Sequence, residues 1–104
     1  MSKVVINTKE PVQDAERYGR LLTEHGFEVQ VAKDPRFGLG QTSDQDLIDL
    51  LQGASAVVAG STPYTKKVLQ NLPKLRVIAR TGVGFEKIDM ATATANRIAI
   101  TITP

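Results

Sequence analysis

Short apolar runs recur along this sequence, each separated from the next by a stretch with helical spacing, and that alternation confines the chain to the α/β class. The strand candidates are Val4-Val5-Ile6, Phe27 to Val31, Ala56 to Ala59, Leu75 to Ala79 and Ile98-Ala99-Ile100. Between the first two, Pro11 suits a first helical turn, and Val12, Ala15, Tyr18, Leu21 and Leu22 recur every three or four residues until Gly26 supplies a stop. Residues 33–41 carry Pro35, Gly38 and Gly40 and read as a loop. Ser43 followed by Asp46 resembles a capping box, and Leu47, Ile48, Leu50 and Leu51 then form an apolar stripe that ends at Gly53. A third helix starts at Thr62-Pro63 or one turn later at Thr65, and it presents Val68, Leu69 and Leu72 before Pro73. Asp89 caps a short fourth helix through Asn96.

Five strands and four helices in alternation, joined by right-handed crossovers, predict an open parallel sheet with helices on both faces. The expected strand order is the flavodoxin-like 2-1-3-4-5, in one domain over residues 1–104. Ligands in such sheets sit beyond the carboxyl ends of the strands, so residues 7–10, 32–41, 60–62 and 81–86 are the loops of interest.

Composition removes several classes of function. The chain has no cysteine, so disulfides, thiolate metal sites and cysteine nucleophiles are excluded. His25 is the single histidine, and a Zn or Fe site would need carboxylates almost alone, so no metal is expected. The apolar run after Met1-Ser2-Lys3 is only three residues long, far short of a signal peptide or a membrane span, so a cytoplasmic protein is expected. Five aromatic residues and no recognisable binding motif argue against nucleic acid. Residues 1–52 hold 6 Lys/Arg against 9 Asp/Glu, while residues 53–104 hold 7 against 2. The second half is the basic one, and it favours an anionic ligand.

The familiar occupants of this fold fail at the strand ends. A flavin-phosphate loop needs a Ser/Thr/Gly-rich turn where this chain has Asn7-Thr8-Lys9-Glu10-Pro11. A phospho-accepting receiver needs an aspartate where the third strand ends in Ala59-Gly60. A dinucleotide fingerprint needs a third glycine, but Gly38-Leu39-Gly40 and Gly82-Val83-Gly84 are followed by Ser43 and Lys87 at that position. The pair at Gly82 and Gly84 either admits a ligand to the main chain or simply shapes a tight turn.

The run from Leu75 to Asp89, containing Thr81-Gly82-Val83-Gly84-Phe85-Glu86-Lys87-Ile88-Asp89, together with the ending Thr101-Ile102-Thr103-Pro104, resembles the substrate-binding domain of the D-isomer-specific 2-hydroxyacid dehydrogenases. Within that family it is most similar to the phosphoglycerate-dehydrogenase-like branch. The resemblance implies that Gly82, Val83 and Gly84 present main-chain N–H groups to the carboxylate of a 2-hydroxy or 2-oxo acid, with Ser61 and Thr62 on the same cleft. It also implies an oxidoreductase that uses NAD(P) in its full-length form. The family's cofactor fingerprint and its catalytic arginine, glutamate and histidine lie beyond Pro104, so this chain is expected to be a truncated half of a two-domain enzyme, binding no cofactor and inactive alone. His25 does not match the catalytic histidine. Gly60 stands where phosphoglycerate-specific members place an arginine, Lys87 and Ile102 where asparagine is usual, and Arg97 where glycine is usual, with Asn96 expected to take the left-handed turn instead. The alternative is a catalytically inactive, stand-alone flavodoxin-like interaction module. Either way, surface around Val83, Phe85 and Ile102 is expected to drive homodimer formation.

Overall fold

The apolar runs become adjacent strands because their main-chain groups must be paired where water is excluded. The structure, a computed structural model, describes residues 3–7, 19–32, 36, 42–60, 62–80 and 87–102. Strands β1 (Lys3–Asn7), β2 (Glu28–Val31), β3 (Ala54–Ala59), β4 (Val77–Arg80) and β5 (Ala99–Ile102) form one sheet. Their order is β2-β1-β3-β4-β5, and every pairing is parallel, as the alternation of runs and helices predicts. Helix α1 is described over residues 19–24; α2 (Asp44–Leu51), α3 (Lys66–Gln70) and α4 (Met90–Ala95) follow.

The strand register sorts side chains onto two faces. Val5, Val57, Ile78 and Ile100 are aligned on one, and against them pack Leu47, Ile48 and Leu51 of α2, Val68 and Leu69 of α3, and Ala93 of α4. Leu72 and Leu75 reach the same core from the segment before β4. On the opposite face, α1 lies over β1 and β2: a Cβ added at Gly19 would stand 3.5 Å from Val29 Cγ1 and 4.0 Å from Ile6 Cδ1. Helices therefore cover both faces, as expected.

Two local expectations are corrected, and one of two alternatives is settled. Leu21 belongs to the predicted apolar stripe of α1 but is 57% exposed, while Leu22 is half-buried and α1 meets the sheet through Gly19. Thr65, not Thr62, caps α3: its hydroxyl accepts from the Val68 N–H at 3.3 Å. The left-handed residue after α4 is Arg97, at φ 58°, whereas Asn96 keeps an ordinary φ of −92°. Arg97 occupies the position at which a helix end closes on itself, with the Arg97 N–H donating to Thr94 O and the Ile98 N–H to Ala93 O. The Asn96 side chain instead donates to Leu69 O at 3.4 Å, tying α4 to α3. The caps at Ser43 and Asp89 form as expected, accepting from the Asp46 and Thr92 N–H groups.

Candidate functional site

At the carboxyl ends of the three central strands, Asn7, Ala59 and Arg80 are aligned by register on the face that carries the main core. The Gly60 N–H donates to Asn7 O at 2.7 Å, so the chain leaving β3 turns directly over the end of β1. From there it returns through Thr62 to Tyr64, whose main chain forms a parallel bridge to Ile88. The Tyr64 N–H donates to Lys87 O at 2.8 Å, and the Asp89 N–H donates to Tyr64 O at 2.9 Å. Ala59 and Arg80 are thus paired where the two chain segments leave the sheet, and Tyr64 and Ile88 where they rejoin the described fold.

Of the residues implicated from sequence, only Thr62 lies among the described residues; Ser61, Gly82, Val83 and Gly84 lie outside them, as do Phe85 and most of residues 33–41. Thr62 is buried, and its hydroxyl accepts from Asn7 Nδ2 at 3.1 Å. The hydroxyl is therefore turned toward the interior. Arg80 is half-buried at the end of β4. His25 is exposed, and its ring Nδ1 donates to Leu21 O at the end of α1, away from these strand ends.

Two residues of this region escape a reading of motifs. Asn7 and Tyr64 are both fully buried, yet Asn7 Oδ1 and the Tyr64 hydroxyl have no hydrogen-bond partner among the described residues. An unmet buried polar group costs about 1–3 kcal/mol, so a pair of them at the strand ends calls for a reason. Burial drives the Tyr64 phenol well above its ordinary pKa, partly offset by the Asn7 side chain and by the positive charge of Arg80. The only sequence signal for Asn7 was a polar residue closing an otherwise apolar strand.

The described residues do not fit a nicotinamide dinucleotide. Such a cofactor needs an open, glycine-lined turn after a strand; here the buried Asn7 side chain and the Gly60 and Thr62 contacts fill the end of β1. No hydride step is derived from this chain. A groove of about 630 Å³ lies between α1 and β2, lined by Arg20, Thr23, Val29 and Val31 among others, at the sheet edge rather than over the central strand ends. Among the described residues no group of three or more His, Cys, Asp or Glu could hold a metal ion, and no helix is long and apolar enough to cross a membrane.

Comparison with known proteins matches this arrangement to one family. Residues 5–104 match the family model for the D-isomer specific 2-hydroxyacid dehydrogenase, catalytic domain. The chain is 32% identical over 87 residues to the glyoxylate reductase of Thermococcus litoralis, covering 83% of this chain and 25% of that protein. It is 34% identical over 85 residues to the D-3-phosphoglycerate dehydrogenase of Methanocaldococcus jannaschii, covering 82% of this chain and 15% of the relative. It thus spans about a quarter or less of the curated relatives it matches. The fold is shared with the NAD+-bound 3-phosphoglycerate dehydrogenase of Entamoeba histolytica, at a TM-score of 0.84 and 22% identity over 99% of this chain and 33% of that one. With all but its first four residues matched, the chain belongs to the D-isomer specific 2-hydroxyacid dehydrogenase family.

Proposed function

We propose that this chain is the substrate-binding domain of a cytoplasmic, NAD(P)-dependent D-2-hydroxyacid dehydrogenase. Ser61, Thr62, Gly82, Val83 and Gly84 hold the carboxylate of a 2-hydroxy or 2-oxo acid in this reading. The observation that carries it is the double clamp: the segments containing these residues leave and rejoin the fold at paired positions, Ala59 with Arg80 and Tyr64 with Ile88. Main-chain N–H groups in such turns form a concavity for a carboxylate without a side-chain charge, beside the Thr62 hydroxyl that accepts from Asn7. Arg80 adds positive charge at the rim. Gly60, in place of an arginine, favours acids that carry no phosphate.

The chain's own contribution is to bind and orient the acid. Hydride and proton transfer belong to the remainder of a full-length enzyme, which supplies NAD(P) when bound, and the isolated 104 residues turn over neither glyoxylate, hydroxypyruvate nor pyruvate with NADH. Titrating glyoxylate into the isotopically labelled chain tests the binding role. Saturable amide shifts confined to residues 60–62 and 81–86, and absent with an equal concentration of chloride, are the expected outcome. Shifts that are linear in concentration or scattered over the surface count against it. The exposed Ile102, 41% accessible on edge strand β5, supports self-association of the isolated chain, read by light scattering over a concentration series.

A further inference from the structure

The sheet ends on β5, and that strand lacks what ordinarily guards an open edge. No strand lies beyond β5 among the described residues; Ala99, Thr101 and Ile102 are exposed and Ile100 is half-buried. The run Ile98-Ala99-Ile100-Thr101-Ile102 holds no charge and no proline, and no register shift interrupts the pairing of β5 with β4. Charges, prolines and bulges are the usual protection of an edge strand. The opposite edge, β2, does carry a charge, at Glu28. In β5 the Ala99 N–H donates to Arg76 O at 2.8 Å. Since a parallel ladder alternates, Ala99 and Thr101 turn their N–H and C=O groups toward β4, while Ile100 and Ile102 turn theirs outward. We propose that these outward groups pair with a second copy of this chain: two β5 strands meet antiparallel about a two-fold axis at Thr101 and join two sheets into one. This pairing deepens the self-association proposed above and is independent of the anion cleft.

Hydrogen bonding selects this register over its neighbours. With Thr101 facing its own copy, Ile100 of each chain lies opposite Ile102 of the other, and each such pair exchanges two main-chain hydrogen bonds. Centring the axis on Ile100 instead would set Ile102 against Ile98, whose N–H already donates to Ala93 O at 2.9 Å. Centring it on Ile102 would set Ile100 against Pro104, which has no N–H to return. Side chains agree with the Thr101 register. Ile100 meets Ile102 on the packed face, covering a residue that is 41% exposed in the single chain, and Thr101 meets Thr101 on the other face. Apolar β-branched pairs and threonine pairs are both favourable across antiparallel strands. Four residues a side make a contact below the roughly 1,200 Å² at which stable interfaces begin, so the association is weak and concentration-dependent.

The whole chain has no cysteine, so an introduced one reports on a single position. Thr101→Cys is expected to form a disulfide-linked dimer on mild oxidation, because the facing Cα atoms stand about 4.5 Å apart, within disulfide reach. Ala99→Cys sets its two thiols about 13 Å apart along the seam and is expected to cross-link at least about tenfold more slowly. In the unmodified chain, amide exchange at Ile100 and Ile102 slows as protein concentration rises, while Val29 and Val31 on edge strand β2 are unchanged. Thr101→Lys places like charges opposite each other and is expected to weaken association, read by light scattering, at least about tenfold. A monomeric mass at every concentration overturns this pairing together with the self-association behind it. Association with equal cross-linking at positions 99 and 101, or with exchange at Ile100 and Ile102 independent of concentration, overturns the pairing and leaves self-association standing. If Thr101→Lys does not fold, exchange in the unmodified chain decides alone.

Discussion

The two faces of the sheet are built from the same strands but to different standards. On the face carrying Val5, Val57 and Ile78, three helices seal the side chains completely. On the other, Val4 and Ile6 of β1 are buried, with α1 against Ile6, but Ala56 and Val58 of β3 and Val77 and Ala79 of β4 are only half-buried, and Ala99 and Thr101 of β5 are exposed. A parallel sheet normally has both faces covered along its length. Stability in this chain is therefore concentrated on one face, and the candidate site grows from the carboxyl end of that same face, through Asn7, Ala59 and Arg80. The better-packed side provides the rigidity that a preorganised anion cleft needs.

Adjacent valines of β3 give the sharpest test of this asymmetry, because Val57 and Val58 differ in face and not in type. Val57→Ala should cost about 2–3 kcal/mol, from two lost methyl groups plus a cavity that three helices cannot collapse to fill. Val58→Ala, on the half-buried face, should cost about 1 kcal/mol or less. Urea unfolding of the two variants reads the difference directly. Equal losses would show that the second face is packed as firmly as the first.

A second test probes the polar end of the packed face. Burial raises the Tyr64 phenol above its ordinary value, so the folded chain retains a proton that the unfolded chain releases above about pH 10. Stability is unaffected by this group below that pH and falls as pH rises beyond it, with a slope that approaches about 1.4 kcal/mol per pH unit. Since other groups also titrate there, the quantity to compare is the slope in the unmodified chain minus that in Tyr64→Phe. A zero difference would mean that water reaches the phenol and that the strand ends are less sealed than the helices suggest.

Much of the fold, though not this asymmetry, was legible in the residues. The unbroken run Val4-Val5-Ile6 announces a central strand buried on both faces, and Leu47, Ile48 and Leu51 announce the helix that covers one of them. Strand ends were less legible. Ala54 and Ser55 join β3 ahead of the expected Ala56 because a register shift between Lys3 and Val4 accommodates an extra residue, where the Ser55 hydroxyl donates to Lys3 O. Leu75 reads as strand but serves the core from the segment before β4, since apolar character marks burial and not backbone conformation. In the site, the glycine run at residues 82–84 was conspicuous as a motif, Asn7 was marked only by its place at a strand end, and Tyr64 was silent. Their importance lies in contacts 55 residues apart and in a bridge between loops, which no local pattern encodes.

The smallest expected effect has the opposite sign and compares a helix from each face. Helices α1 and α4 end in the same way: the Phe27 N–H donates to Leu22 O and the Gly26 N–H to Thr23 O, just as Ile98 and Arg97 donate to Ala93 O and Thr94 O. The left-handed residue is Gly26 at φ 87° in α1 but Arg97 at φ 58° in α4. Nothing lies within 4 Å of a Cβ added at Gly26, so glycine is favoured there by conformation and not by space. Arg97 carries the backbone cost that glycine avoids, held in place by Ala93 and Ile98, which are buried in the packed face, and by the Asn96 bond to α3. Arg97→Gly should therefore raise stability by about 0.5–1 kcal/mol, and Gly26→Ala should lower it by about 1 kcal/mol. Urea midpoints of both variants check this. If Arg97→Gly is destabilising, the exposed arginine side chain contributes more than its backbone strain costs, and the packed face owes part of its strength to a contact at its rim.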